Sequence, residues 1–249
     1  MAVEKTEAIV LKSFPYGDTS KIVRCYTQNY GKISVIAKGV RSGKMLRSGY
    51  LDPPNYLSLM FYHNPKRQLQ IFSGAQFESV WPSLKKDMKK LSYGFAVVEL
   101  IDRAVSGQEP HRELFRLMVD TLTSINESEG RINRIFWSYE IHVLSLLGFR
   151  PALSECPRCH RSLGTGHFSM EYGELLCRHC EREGLRRVSS RALNILRTLK
   201  RGTLEDAKGI ELKPGDRGEV GGFLKDYLTY HIEGLREVRS LNVLGKLLA

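Results

Sequence analysis

The sequence lacks several features that would each indicate a particular class of protein. No uninterrupted apolar run in the 249 residues approaches the roughly 18 to 20 needed to span a bilayer, which argues against a membrane protein. The segment from Met1 to Lys5 lacks the charged-then-apolar pattern of a signal peptide, which argues against export. Five cysteines are too few for a disulfide-rich secreted scaffold. These absences favour a cytoplasmic protein.

Motifs of common enzyme classes are also absent. The segment 39–44 superficially resembles a phosphate-binding P-loop, but only three residues separate its glycines, and Met45 stands where Ser or Thr would bind magnesium. Neither H-E-x-x-H nor G-x-S-x-G occurs. We therefore predict no enzymatic activity. A metal-dependent nuclease with carboxylates scattered along the chain is the enzymatic alternative.

Acidic residues are the scarcer charged class. The chain has 38 Lys and Arg against 27 Asp and Glu, a formal net charge of +11, and a pI near 9.5. A pI above about 9 is typical of proteins that bind nucleic acid. An ordinary basic protein with no such ligand fits the charge equally well.

Five short runs in residues 1–80 predict β-strands. Leu57, Leu59 and Phe61, for example, share one face of an alternating run. Proline, glycine, asparagine and aspartate lie between the runs and predict turns. Five strands in about 80 residues favour a small closed barrel of the OB-fold type over a small sandwich. The runs are Glu7–Lys12, Lys21–Thr27, Lys32–Lys38, Tyr56–Tyr62 and Gln68–Phe72.

Beyond residue 80 the apolar spacing changes to steps of three and four residues, which predicts helices. The sequence thus predicts an α+β fold. A barrel domain over residues 1–80 is followed by a helical bundle domain over 81–249, with a cysteine-containing insert at 156–180. The predicted helices are Leu91–Val105, Pro110–Asn126, Arg131–Leu147, Ala192–Lys200, about 218–232 and about 234–248, with Ser189 or Ser190 as a cap of the fourth.

Four of the five cysteines form two C-x2-C pairs with 17 residues between them. This spacing predicts a zinc site, because two such turns supply a tetrahedral shell of four thiolates. A filled shell leaves no open position, so the predicted role is structural. Iron, unliganded or disulfide-bonded cysteines, and a histidine (His160, His167 or His179) in place of one sulfur are the alternatives. The predicted ligands are Cys156, Cys159, Cys177 and Cys180, whereas Cys25 is predicted to be a buried apolar residue.

A cationic segment without acidic residues runs from Lys32 to Arg47. Its side chains could follow a phosphate backbone, and nearby tyrosines could stack on bases. A solvated loop beside core tyrosines explains the same pattern. The predicted DNA contacts are Lys32, Lys38, Arg41, Lys44 and Arg47, and the candidate stacking residues are Tyr16, Tyr26, Tyr30 and Tyr50. A second basic group, which either extends this surface or solubilises the insert, comprises Arg158, Arg161, Arg178, Arg182, Arg186 and Arg187.

Short segments in order along nearly the whole chain resemble the RecO-type recombination mediators. The resemblance is weakest after about residue 200, and Asp18 stands where the family usually has Glu. The matching segments are Glu7–Lys12, Tyr16–Asp18, Tyr30–Ile33, Lys38–Arg41, Val98–Arg103, Glu113–Phe115 and Leu146–Pro151 just ahead of the first cysteine pair.

The resemblance implies an OB-fold, a helical domain with a zinc knuckle, and a non-catalytic role in bacterial DNA repair and recombination. It implies binding to single- and double-stranded DNA and annealing of single strands in the nucleoid. With RecR, such a protein displaces or remodels single-strand DNA-binding protein so that RecA can load. No motif identifies a pocket for the acidic tail of single-strand DNA-binding protein. A zinc-containing protein adaptor with little DNA binding of its own is the alternative function.

Overall fold

The computed structural model describes residues 2–42, 48–181 and 185–235. Within these ranges the chain forms two compact units, residues 2–127 and residues 128–235. The predicted division after residue 80, which separates strands from helices, stays a prediction. Lys44, Arg47, Arg182 and nearly all of the helix predicted at 234–248 lie outside the described residues.

The first unit begins with a closed five-stranded barrel, which confirms the predicted barrel over the sandwich. The strand order is β1-β2-β3-β5-β4, and β4 pairs with β1 to close the sheet. All neighbours are antiparallel except β3 and β5, which are parallel. The strands are β1 (Val3–Tyr16), β2 (Ser20–Thr27), β3 (Gly31–Ala37), β4 (Tyr56–Tyr62) and β5 (Leu69–Ser79).

Alternation along the strands gives the barrel an apolar interior. In β3, Ile33, Val35 and Ala37 are buried, while the residues between them are only half-buried. Cys25 lies fully buried in the same core, as predicted, and burial raises the pKa of its thiol to about 12. Gly31 has a φ of +59°, and a Cβ there would lie 2.6 Å from the backbone of residue 108. This position therefore requires glycine at the start of β3.

Three helices complete the described part of the first unit: α1 (Pro82–Lys86), α2 (Met88–Ala104) and α3 (Arg112–Glu127). The side chain of Asp87 accepts hydrogen bonds from the backbone N–H groups of Lys89 and Lys90, and so caps α2. A short 3-10 turn, Ser48–Leu51, precedes β4. None of the described helices of the chain is long and apolar enough to cross a membrane.

The second unit combines four helices with a small three-stranded sheet of order β7-β6-β8. Ser189 accepts a hydrogen bond from the N–H of Ala192 and is the cap of α5. Two short elements, α6 and β8, were not predicted, because five and three residues are too few for a periodic pattern. The elements are α4 (Ile132–Leu146), β6 (Gly166–Ser169), β7 (Glu174–Leu176), β8 (Arg186–Val188), α5 (Ser190–Arg201), α6 (Leu204–Lys208) and α7 (Asp216–His231).

Candidate metal centre and nucleic-acid interface

The four predicted cysteine ligands come together in the second unit. All four Sγ atoms lie within 4.8 Å of one another, and those of Cys159 and Cys177 are 3.5 Å apart. In a tetrahedral shell with metal–sulfur bonds of about 2.3 Å, the sulfurs are about 3.8 Å apart. The observed spacing fits that shell. The cluster could therefore hold a metal ion.

Backbone hydrogen bonds shape each C-x2-C pair into a tight turn. In the first, the N–H of His160 donates to Cys156 O at 2.8 Å. In the second, the N–H groups of Cys180 and Glu181 both donate to Cys177 O at 3.0 Å. Residue 160 has a φ of +58°, the left-handed conformation that turns the chain away from the first pair. Both turns are thus formed by local backbone geometry that does not depend on a distant element.

The ionisation of the thiols favours a cation. Burial by itself would raise the pKa of Cys156, but N–H groups of residues 177, 158 and 159 donate to its sulfur and bring the pKa down to about 6. Hydrogen bonding to Cys159 raises the pKa of Cys180 to about 12. One thiolate is therefore easily formed while a neighbouring thiol retains its proton. A divalent cation would relieve this conflict, because it stabilises all four thiolates and neutralises two of their four negative charges.

No histidine belongs to the described thiol cluster. His167 contacts Glu181 through Nδ1, and the ring of His179 lies beside Arg178. Within the described part of the chain, the four cysteines are the only group of three or more potential metal ligands. The carboxylate cluster that a metal-dependent nuclease requires is therefore not found among those residues.

Lys32, the first of the predicted DNA contacts, lies against the end of α2. Its Nζ donates to the carbonyl of Asp102 at 3.0 Å and to the carbonyl of Val105. Burial lowers its pKa, and repulsion from Arg24 and Lys12 adds to this, while Asp102 acts in the opposite direction. The ammonium group of Lys32 is thus hydrogen-bonded to two backbone carbonyls at the C-terminus of α2.

A buried carboxylate accompanies Lys32 and was not recognised from the sequence. The Asp102 side chain is only 1% exposed, and its oxygens lie 2.8 Å from Arg24 Nη1 and 3.1 Å from Lys12 Nζ. Burial alone would raise the pKa of Asp102, but hydrogen bonds from Arg24 and Lys12 outweigh burial and lower it. Strand register could have placed the two cations side by side, since Lys12 pairs with Arg24 across β1 and β2. Asp102 comes into contact with Lys12 and Arg24 only through tertiary packing.

Lys38 and Arg41 are exposed beyond the end of β3. The backbone N–H of Arg41 donates to Thr19 O at 2.8 Å, and its Nη1 donates to Gly17 O at 3.2 Å. These bonds hold the segment after β3 against the turn between β1 and β2. The two cations therefore lie at the same end of the barrel as the tip of that hairpin.

Of the four candidate stacking tyrosines, only Tyr16 presents a largely free ring, with 54% of the residue exposed. The rings of Tyr26, Tyr30 and Tyr50 contact Phe115, Phe61 and Phe77, respectively. Phe14, two residues before Tyr16 and on the same face of β1, is 45% exposed and was not singled out from the sequence. Its alternation with Tyr16 is the signal that could have identified it.

An apolar row that includes Phe14 crosses the outside of the barrel. Phe14 pairs with Ile22, Ile22 with Ile36, and Ile36 with Ile71 across four strands. None of the four belongs to the buried core of the barrel among the described residues, and all are at least partly exposed. We call these four residues the outer apolar row.

The arginines around the cysteine insert have mixed surroundings. Arg158 lies over the ring of Tyr172 at 3.9 Å and pairs with Glu174. Arg186 pairs with Asp226 at 2.5 Å. Arg161 and Arg187 are exposed, and so is Arg178 except for its contact with His179.

Comparison with known proteins assigns both parts of the chain to one family. Residues 1–80 match the family model for the recombination protein O N terminal region, and residues 85–241 match that for its C terminal region. The DNA repair protein RecO of Salinibacter ruber is 29% identical over 99% of this chain and 95% of its own length. The DNA repair protein RecO of Syntrophus aciditrophicus is 32% identical over 72% of this chain and 70% of its own length. That of Chloroherpeton thalassium is 28% identical over 98% of this chain and 99% of its own length. The chain therefore belongs to the recombination protein O family of DNA repair proteins.

Proposed function

We propose that this protein is a non-catalytic mediator of DNA repair and recombination that binds and anneals single-stranded DNA. With RecR, it would displace or remodel single-strand DNA-binding protein on DNA so that RecA can load, acting in the bacterial cytoplasm at the nucleoid. The membership of the family supports a role in DNA repair. The observation that carries the DNA-binding step is the end of the barrel, where exposed aromatics and exposed cations occur together.

The chemistry of that barrel end suits a single strand better than a duplex. Tyr16 and Phe14 offer ring faces on which unpaired bases can stack, and stacking does not depend on base identity. Lys38 and Arg41 offer charge to the phosphates, and release of condensed counterions then favours binding. Double-stranded DNA would bind there through its phosphates alone. A strand held in this way keeps its base edges free, which is what annealing to a second strand requires.

The proposed DNA contacts differ in exposure and in role. Lys38 and Arg41 are exposed and remain our primary candidates, with Lys44 and Arg47 proposed from the sequence. Lys32 has its ammonium group bonded to two backbone carbonyls, so its proposed contribution is to hold the strand that leads to Lys38.

We propose zinc as the ion at the four thiols, in a structural role. Four thiolates fill a tetrahedral shell and leave no position for a substrate. Cys156, Cys159, Cys177 and Cys180 would hold the ion and thereby fix the segment that connects α4 to α5. When bound, the ion supplies charge compensation and a covalent-like cross-link, and no chemistry.

A second candidate function, a protein adaptor, is favoured by the outer apolar row. Three of its four members are isoleucines, whose side chains pack against apolar protein surfaces but offer no ring for a base. In an adaptor, the positive charge would recognise acidic tails. Binding of a labelled single strand separates the two candidates, because an adaptor binds it only weakly.

The experiment is fluorescence anisotropy of a labelled single strand over a salt series, followed by addition of the complementary strand. We expect salt-sensitive binding and accelerated duplex formation. The double variant Lys38→Ala/Arg41→Ala should reduce the steepness of the log affinity against log salt plot by about 1.4, because each lost phosphate contact contributes about 0.7 on single strands.

The matched control is Lys66→Ala/Arg67→Ala, which removes the same charge from an exposed turn of the same barrel. If both variants change the salt dependence equally, the barrel end is not the binding site. If the unmodified protein binds no strand at low salt, the adaptor becomes the leading function. Magnesium-dependent loss of the strand would instead indicate a nuclease.

A further inference from the structure

An exposed aromatic patch lies in the second unit and includes none of the barrel residues assigned above. Phe149 and Tyr230 are each 38% exposed, although both are large aromatic residues. The ring of His231 contacts both of them, and its centroid lies 5.4 Å from that of Phe149 and 4.9 Å from that of Tyr230. We call these three residues the aromatic patch. Single apolar residues are common on surfaces, but three neighbouring aromatic rings indicate a binding surface.

The hairpin of β6 and β7 supports the patch. The hydroxyl of Tyr230 donates to Glu171 O at 3.2 Å, and His231 Nε2 lies 3.0 Å from Gly173 O. The ring of Tyr230 lies so close to Gly173 that a Cβ there would be 2.1 Å from it. Glycine is thus required for the hairpin to reach the end of α7. Because Cys177 directly follows β7, the thiol cluster fixes the same hairpin.

Three cations lie near the chain segment that directly follows Phe149. Arg150 follows Phe149 in the chain and is exposed, as is Arg201 at the end of α5. Lys200 donates through Nζ to Pro151 O at 2.7 Å, which places it against the segment that follows Arg150. Burial lowers the pKa of Lys200, and repulsion from Arg150 and Arg201 lowers it further. Cations held this close together attract an anion with several charges.

The distribution of charge along the chain points to the same ligand class. Residues 148–201 contain eleven Lys and Arg against five Glu, and residues 1–80 contain eleven Lys and Arg against five acidic residues. The positive excess of the whole chain is therefore concentrated in two separate segments. Flat aromatic faces beside a row of cations are the combination that binds single-stranded nucleic acid. A polyanion satisfies three crowded cations better than a peptide with isolated acidic residues does.

We propose that the aromatic patch, together with Arg150 and Arg201, is a second binding site for single-stranded DNA, with Lys200 holding the segment after Arg150 in place. One chain would then hold two strands, the first on the barrel and the second on the helical unit. This inference rests on the proposed annealing function and deepens it, because a second strand held on the same chain meets the free base edges of the first at a high effective concentration. The hairpin of β6 and β7, which leads into the thiol cluster, would support this second site.

The test uses the full chain with its metal bound and short single strands of roughly twelve nucleotides, a length within the range that one OB-fold covers. Native mass spectrometry counts the strands bound per chain, and two non-complementary strands with donor and acceptor dyes report whether both occupy one protein. The variant is Phe149→Ala/Arg150→Ala/Arg201→Ala, which leaves Tyr230 and Lys200 in their supporting contacts. The matched control is Lys213→Ala/Arg217→Ala, two exposed cations at or just before the start of α7, where Arg217 lies about 20 Å along the helix from Tyr230.

We expect the unmodified protein and the control to bind two strands and the patch variant to bind one. The first strand should bind the variant within threefold of the unmodified affinity, while annealing slows at least tenfold. Metal content and melting temperature equal to those of the control show that the variant is folded. Should the variant misfold, the double change Arg150→Gln/Arg201→Gln tests the same site with both aromatic rings intact.

The outcomes distinguish the two proposals. If the unmodified protein binds and anneals strands, but the patch variant still binds two and anneals within twofold of normal, the second site is wrong and the proposed function stands. If the variant loses only binding of an acidic peptide carrying an aromatic residue, the patch serves a protein partner instead. If the unmodified protein binds no strand, both proposals fall.

Discussion

Replacing Asp102 with asparagine should destabilise the first unit without changing its shape. The carboxylate is buried near the end of α2 and faces Arg24 on β2 and Lys12 on β1. Asparagine has nearly the same volume and can still accept a hydrogen bond from Arg24. The change therefore removes one negative charge from between two cations and little else.

The size of the effect follows from the exposure of the partners. Removing one member of a fully buried ion pair costs about 3 to 5 kcal/mol, because the remaining charge is left without compensation. Here Lys12 and Arg24 are 35% and 37% exposed, so water can partly compensate both after the change. We therefore expect a loss of about 2 to 3 kcal/mol in the free energy of unfolding of this unit. The matched control, Asp120→Asn, removes an exposed carboxylate 3.8 Å from Arg116 and should change stability by less than about 0.5 kcal/mol.

The two tryptophans of the chain make a clean assay possible. Trp81 lies buried in the first unit and Trp137 in the second, so fluorescence of a Trp137→Phe background reports on the first unit alone. Urea unfolding at pH 7 then gives the free energy of that unit with and without Asp102. A double-mutant cycle with Arg24→Gln should give a coupling energy of about 1 to 3 kcal/mol, because the two groups are in contact.

The dependence on pH carries a definite sign. The pKa of Asp102 is lowered in the folded protein. The stability that its carboxylate contributes is therefore fully present at pH values above the ordinary pKa of an aspartate, and it is lost as the pH falls through the lower pKa of the folded state. Asp102→Asn should therefore converge with the unmodified protein in acid. A loss at pH 7 no larger than that of the control, or a coupling energy near zero, would refute the view that this carboxylate fastens α2 to the barrel.

Three further predictions concern single residues. Tyr16→Ala should weaken single-strand binding by about 1 to 3 kcal/mol with an unchanged salt dependence, since stacking releases no counterion; unchanged affinity in the anisotropy assay would contradict its role. Burial raises the pKa of Glu140 well above its ordinary value of 4.5, so Glu140→Gln should gain stability over the unmodified protein by up to about 1.4 kcal/mol per pH unit above that value, until the folded pKa is passed. A stability difference measured by urea unfolding that does not vary between pH 4.5 and 8 would contradict that assignment. In thiol titration, the four clustered cysteines should react with a disulfide reagent only after chelation of the metal, and Cys25 should react only after unfolding. Reaction of a fifth thiol in the folded protein would show that Cys25 is accessible to the reagent and is not buried in the barrel.

Local patterns in the sequence were sufficient to predict the regular elements and the cysteine pairs. Alternation predicted the strands of the barrel, and three- and four-residue spacing predicted the long helices, because both patterns follow from which side chains face a core. The cysteine pairs were recognisable for the same reason, since each C-x2-C turn is shaped by its own backbone. Their spacing predicted four sulfurs and left a histidine as an alternative, and the four sulfurs lie together in the structure.

Tertiary structure alone decided which of the predicted contacts are free to act. Lys32 and Lys38 are equivalent in the sequence, yet the first donates to the end of α2, some 70 residues away, while the second is exposed. Three of four candidate tyrosines pack against other rings, and Phe149 contacts the ring of His231, which lies far along the chain, only in the folded protein. Residue type and spacing fix the chemistry that a side chain can offer. Whether the side chain is available depends on contacts between segments far apart in the chain, and no local pattern records those.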